Sequence, residues 1–189
     1  MRPREGEVLH FSEDPTIEEF VPHIAASARV RDTLVWAVDA PRAPAYWFPR
    51  QCPRVLTWAV SGSTVADVER VIGPSGVTRV HAVEYAWLER MRSVRLYAYR
   101  LPAAPFRPFP EPEPARRQET AEPSAHVARV RIRPLGRPEP VGDLLALHEQ
   151  AGIELRVLPE LWTFWEAVTA GTLGFSGIRL RNARPPSPR

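Results

Sequence analysis

The sequence contains no lysine, a single cysteine and a single asparagine, and these shortages limit what the chain can be. Cys52 alone excludes an internal disulfide and a cysteine-rich zinc site. No apolar run approaches the roughly 20 residues that a membrane-spanning helix needs. The N-terminal stretch MRPREGEVL also lacks the apolar core of a secretory signal. These absences predict a cytoplasmic protein with no membrane partner.

The charged residues argue against a nucleic-acid partner. All 25 basic residues are arginine, and they exceed the 22 acidic residues by only three charges. Abundant arginine, alanine, valine and proline are typical of a GC-rich genome, so each arginine carries little functional weight. The arginines are also scattered along the chain, whereas nucleic-acid-binding proteins cluster them on one element.

Neither a metal site nor a phosphate loop is predicted. The histidines have none of the spacings typical of metal ligands, and no glycine-rich phosphate-binding loop is present. The five histidines are His10, His23, His81, His126 and His148.

The length and pattern predict one α+β domain over residues 1–183, followed by a disordered tail at 184–189. Segments of strand length and β-branched or aromatic character recur along the chain without a regular βαβ repeat. We therefore expect a mixed, mostly antiparallel sheet with short flanking helices. The expected strand segments are EVLHFS, TLVWAVD, RVLTWAVS, RVHAVEY, VRLYAYRLP, HVARVRIRP and IELRVLP.

Three short helices are predicted between these strands. Residues 64–72 have Thr64 as a cap and Gly73 as a stop, with Val65, Val68 and Ile72 expected on one face. A second helix is expected over residues 143–150. The third carries an apolar stripe of Leu161, Phe164, Trp165 and Val168.

Residues 102–125 form a proline-rich segment, which we expect to be an extended surface loop. Proline fixes its own φ and cannot donate to a strand ladder. An alternative is that this loop is a recognition motif, which would make the chain a protein-interaction domain.

The stretch LHFSED places His10 and Ser12 at the end of the first expected strand. Asp14 and Pro15 read as the cap and first position of a helix, which gives these residues a structural use whatever the function. Farther on, the stretch APAYWFPR places Tyr46 on a short helix or turn, within a consecutive run of aromatic residues that cannot all face one core.

Several long strings resemble a bacterial domain family of unknown function. They are LHFSEDPTIEEFVP, VWAVDAPRAPAYWFPRQCPRV, VEYAWLERMRSVRLYAYRLP, EPVGDLLALHEQAGIELRVLP and TLGFSGIRLRNA. The resemblance covers residues 9–183, names no activity, and is weakest in the proline-rich segment.

A second resemblance is to ADP-ribosyltransferase-like domains, and rests on LHFS followed by a strand and a tyrosine-bearing helix. It implies that the chain binds NAD as a substrate and takes the layout of those domains. It also implies that His10 hydrogen-bonds a ribose with Ser12 beside it, and that Tyr46 stacks on nicotinamide.

The same resemblance requires an arginine for the pyrophosphate and a carboxylate. Cleavage of the nicotinamide glycosidic bond develops positive charge on the sugar, which a nearby carboxylate stabilises. Arg50 or Arg54 is the candidate for the pyrophosphate. Glu84, which ends an expected strand, is the favoured carboxylate, and Glu122 is the alternative.

Two other interpretations remain open. His10 and Glu84 can be structural residues, the latter as an acid at a helix N-terminus. The chain can also be a non-catalytic module that binds a nucleotide-like ligand or an RNA end. Cys52 is expected to be inert, and Gly174 and Gly177 are expected to be turn residues.

Overall fold

The computed structural model describes residues 1–24, 32–74, 76–109 and 125–186, and has the predicted α+β class. The strands are β1 (Glu7–Ser12), β2 (His23–Ile24), β3 (Thr33–Ala37), β4 (Arg54–Trp58), β5 (Arg79–Glu84), β6 (Tyr97–Pro102), β7 (Arg107–Pro108), β8 (His126–Ala128), β9 (Glu139–Pro140), β10 (Glu154–Leu158) and β11 (Gly174–Ile178). The α-helices are α1 (Val65–Asp67), α2 (Leu88–Ser93), α3 (Leu144–Gln150) and α4 (Trp162–Thr169).

The chain divides into two compact units, each built from two segments of sequence. Unit 1 comprises Met1–Trp47 and Arg95–Gly142, and unit 2 comprises Phe48–Val94 and Asp143–Arg189. Each unit has its own sheets and its own apolar cluster. That the two units fold as a single domain stays a prediction.

Unit 1 is built from antiparallel strands. One sheet has the order β1-β6-β9 and the other has the order β2-β3-β8-β7. A bridge between Leu9 and Val38 brings β1 next to the end of β3. Buried residues Val8, Tyr99 and Val35 belong to one apolar cluster of this unit.

Unit 2 is a four-stranded mixed sheet of order β10-β5-β4-β11, in which only β10 and β5 run parallel. Alternate residues of its strands point to opposite faces. Val55, Val80 and Ala82 face a cluster with Leu161 and Val168 of the α4 segment. The opposite face carries His81 and, on β10, Leu155 and Val157.

The helix predicted over residues 64–72 exists, and its predicted apolar face is right at Val68 and Ile72 but wrong at Val65. Thr64 caps it by accepting from the backbone N–H of Asp67, and Gly73 ends it at φ 91°. After α1, Val68–Ile72 form a π-helical turn. Val68, Val71 and Ile72 pack in the apolar cluster of unit 2, whereas Val65 is 73% exposed.

The prediction that Gly174 and Gly177 are turn residues was wrong, because both lie in β11. A Cβ atom at Gly174 would collide with the Trp58 indole, and one at Gly177 would meet Trp165 at 2.8 Å. Glycine in a strand often marks such a close approach.

The predicted helix after Asp14 is absent from the structure. The Asp14 carboxylate instead accepts from both the backbone N–H and the hydroxyl of Thr16, at 2.8 and 2.7 Å. This is an Asx turn, which competes with helix formation. The Tyr99 hydroxyl then donates to the Asp14 carbonyl and accepts from Ile17 N, and Phe20 forms a bridge with Ile132.

The proline-rich segment and the tail are described only in part. Residues Arg107–Pro108 form β7 and pair with β8, so the segment begins with a short strand and not only with a loop. Residues 110–124 and 187–189 lie outside the described residues. Arg184, in the predicted tail, donates its N–H to Glu84 and accepts from the Trp162 indole.

Candidate functional site

His10 lies near the end of β1, as predicted, and its ring is held in place. Its Nδ1 is 2.8 Å from the Trp36 carbonyl oxygen, which can only accept, so Nδ1 carries the proton. The ring also lies 4.6 Å from the Phe20 ring, centroid to centroid. Phe20 and Val8 belong to the same apolar cluster of unit 1.

Tyr46 lies on a short 3-10 helix, Ala43–Tyr46, which also agrees with the sequence prediction. The tyrosine is half-buried and packs against a different cluster, which contains Leu9, Val38 and Ala43.

His10 and Tyr46 are not brought together. Leu9 and His10 are consecutive residues of β1, so their side chains point to opposite faces of the strand. Tyr46 packs on the Leu9 side, whereas the His10 ring meets Phe20 on the other side. Within unit 1 the two rings therefore lie on opposite faces of β1. Ser12 is buried, and its hydroxyl accepts from the Asp14 N–H.

The remaining predicted site residues belong to unit 2, apart from Glu122, which lies outside the described residues. Arg50 is exposed. Arg54 is only 3% exposed, donates to the Cys52 carbonyl at 2.9 Å and lies over the Phe48 ring. Glu84 is also buried, and its Oε1 accepts from the Arg184 N–H at 2.9 Å. Arg54 and Glu84 thus have structural contacts of their own.

Cys52 is the inert thiol that the sequence predicts. It is fully buried, and burial raises the pKa of the thiol to about 12. A thiol with this pKa carries almost no thiolate at neutral pH, so it is not a nucleophile.

An open groove of about 430 Å³ lies in unit 2, between α2, α3 and β10. The lining residues have the spacing expected for one face of each element: four apart on α2, three and four apart on α3, and two apart on β10. Five of its lining residues are aliphatic, and Arg92 and Glu149 are the charged ones. The lining residues are Leu88, Arg92, Leu145, His148, Glu149, Ile153, Leu155 and Val157.

One residue of the lining, His148 of α3, belongs to a buried pair of histidines whose other member is His81 of β5. His81 and His148 are 0% and 1% exposed, and His81 Nδ1 lies 3.1 Å from His148 Nε2. The Phe48 ring packs against both imidazoles. The pair therefore joins α3 to the sheet of unit 2.

The protons of the pair follow from its partners. His148 Nδ1 lies 2.7 Å from the Leu144 carbonyl oxygen, so it donates, and Nε2 of the neutral ring accepts from His81 Nδ1. His81 Nε2 is then left with a lone pair. This buried atom has no hydrogen-bond partner among the described residues.

Both imidazoles are held in the neutral form. Burial lowers the pKa of His81 well below its usual value, and electrostatic interactions with His148, Arg79 and Arg54 lower it further. Burial also lowers the pKa of His148, against the raising effect of its hydrogen bond to Leu144, and Arg54 adds to the lowering.

Sequence reasoning missed the histidine pair because its members lie 67 residues apart. A signal was nevertheless present in each local pattern. His81 interrupts the apolar run Val80–Val83 in the middle of β5, and His148 follows Leu144 by one helical turn, on the inner face of α3.

The described residues contain no helix that could cross a membrane and no group of three or more potential metal-binding side chains.

The fold and the groove define a two-unit α+β protein with a half-open apolar cleft. The chain belongs to a family of unknown function, DUF6886, whose pattern matches residues 9–183 and so spans both units. No curated protein and no solved structure matches it. The resemblance to ADP-ribosyltransferase-like domains finds no support in these comparisons.

Proposed function

We propose that the protein is a non-catalytic binding module for a small amphipathic anion, with the groove of unit 2 as its site. The observation that carries the proposal is the groove itself. Its volume of about 430 Å³ falls within the range of small-molecule sites, roughly 300 to 1,000 Å³. Its aliphatic lining suits an apolar body.

Arg92 is the basic residue of the lining and can pair with an anionic group on the ligand. Glu149 is the acidic residue of the same lining. Guanidinium groups bind carboxylates with paired, charge-assisted hydrogen bonds. A medium-chain fatty acid is the simplest molecule with this chemistry.

The test is calorimetric titration with decanoate, with decanol as the uncharged comparison. We expect decanoate to bind more tightly than decanol, and we expect Arg92→Ala to remove the difference. Arg90→Ala, on the same helix but outside the lining, is the matched control.

A second variant tests the position of the site. Leu145→Glu places a charge on the half-buried lining and should abolish decanoate binding. Leu135→Glu makes the same change at a residue of unit 1 that is 57% exposed, and should leave binding intact. Equal binding by both variants would contradict the assignment to the groove.

A second candidate function is the NAD-dependent transferase, with NAD as substrate. The order of elements favours it, because β1 carries His10, β3 follows, and Tyr46 lies on the next short helix. The geometry ranks it second, since a ligand must reach His10 and Tyr46 from two faces of β1.

Release of nicotinamide from NAD distinguishes the two functions. The transferase predicts release by the unaltered protein and its loss in His10→Ala, Tyr46→Ala and Glu84→Gln. Tyr85→Ala, at a tyrosine that is 62% exposed, is the matched control for Tyr46→Ala. No release by the unaltered protein would end this candidate.

A further inference from the structure

The contact between His81 and His148 is a side-chain hydrogen bond that joins β5 to α3, and one of the two facing nitrogens must carry no proton. Each ring of the neutral pair uses one N–H as donor, and His148 Nε2 must accept. One proton on His148 Nε2 leaves a hydrogen bond in place, because His81 can carry its own proton on Nε2 and accept at Nδ1. When both rings are protonated, two N–H groups face each other and the contact is broken.

The charges that face the pair from the elements around it oppose protonation. β4 contributes Arg54, β5 contributes Arg79, and both lower the pKa of His81. Cys52 is neutral because its pKa is about 12. On the groove side, Arg92 of α2 and Glu149 of α3 flank His148.

From this geometry we propose that the histidine pair is an acid-sensitive latch that holds α3 against β5 and so keeps the groove formed. Loss of the latch detaches α3, which supplies three of the residues that line the groove. The consequence for ligand binding rests on the proposed function, whereas the release of α3 does not.

The sign of the pH effect follows from the direction of the shifts. Above the unfolded-state pKa of about 6.5, His81 and His148 are neutral in both the folded and the unfolded protein, so the pair adds no pH dependence to the stability. Below this pKa the unfolded chain binds two protons that the folded pair does not bind. The free energy of unfolding therefore falls as the pH falls. The unfolding equilibrium constant should rise up to about 100-fold per pH unit through these two sites.

The experiment measures urea unfolding, together with hydrogen exchange of α3 amides corrected for intrinsic rates, between about pH 7.5 and about pH 5. We expect α3 to lose protection before the rest of unit 2. His81→Asn keeps a donor at the Nδ1 position without a titrating group, and His148→Gln keeps an acceptor. Either variant should flatten the pH dependence, by about tenfold per pH unit for each site removed.

His23→Gln is the matched control, because His23 is an exposed histidine in unit 1. It should leave the pH dependence unchanged. An unaltered acid response in His81→Asn and His148→Gln, or uniform loss of protection in unit 2, would overturn the latch. Titration with decanoate at both pH values distinguishes failure of the latch from failure of the proposed function. If α3 is released at acid pH but decanoate does not bind at neutral pH, the latch is supported and the proposed function is refuted.

Discussion

At the scale of single residues, Gly174 and Gly177 explain how close the tryptophans of unit 2 lie to β11. The sequence prediction assigned both to turns. The space beside Gly174 is instead occupied by Trp58, which is distant in sequence, and the space beside Gly177 is occupied by Leu180 and Trp165. A requirement set by distant side chains is invisible in the local pattern.

Gly174→Ala should therefore destabilise the protein, because its Cβ atom would collide with the Trp58 indole. We expect a loss of about 1 to 3 kcal/mol, as for other overpacked interiors. Urea unfolding measures it.

Gly62→Ala is the control for this substitution. No atom lies within 4 Å of a Cβ at Gly62, so this change should be neutral or slightly stabilising. Equal stability of the two alanine variants would contradict the close approach seen at β11.

The predicted site residues His10 and Tyr46 show the same limit. His10 and Tyr46 were placed correctly on their elements, but the sequence did not reveal which face of β1 each would meet. That depends on Phe20, which forms a bridge with Ile132 far along the chain.

At the scale of elements, local rules succeeded where a capping residue and a regular period occur together. Asp143 caps α3 by accepting from the N–H groups of Leu145 and Ala146, and the helix begins at Leu144, close to the predicted boundary. The helix over residues 64–72 was located equally well, and Val68 and Ile72 of its predicted apolar face are confirmed, whereas Val65 is exposed and the π-helical turn after Asp67 was not foreseen.

Asp143→Ala should remove the cap of α3 and cost about 1 kcal/mol of stability, within the usual range of about 0.5 to 2 kcal/mol. Asp143→Asn retains an acceptor at the same position and should restore most of the loss. Thermal unfolding of the three proteins measures both effects. If alanine and asparagine behave alike, the side-chain hydrogen bonds of Asp143 do not stabilise α3.

At the scale of the whole molecule, the chain passes between the two units three times, at residues 47–48, 94–95 and 142–143. Sequence reasoning predicted one domain from length and pattern and did not foresee two apolar clusters in separate units. The division depends on which strands pair across long separations, and alternation along one strand carries no such information.

We expect the two units to unfold together, because neither is a continuous stretch of chain. Differential scanning calorimetry should give a calorimetric enthalpy equal to the van't Hoff enthalpy. A calorimetric enthalpy about twice the van't Hoff enthalpy, or two resolved peaks, would show that the units unfold independently. Either result would contradict the single-domain prediction.

The strand order of unit 2 also has a consequence during synthesis on the ribosome. β4 and β5 emerge early, but their outer neighbours β11 and β10 are both translated after Gly152. Until then, both borders of the nascent β4–β5 hairpin offer unpaired N–H and C=O groups to other chains. A protein cut short before Glu154 should therefore accumulate as insoluble material, even though all of unit 1 has already been translated.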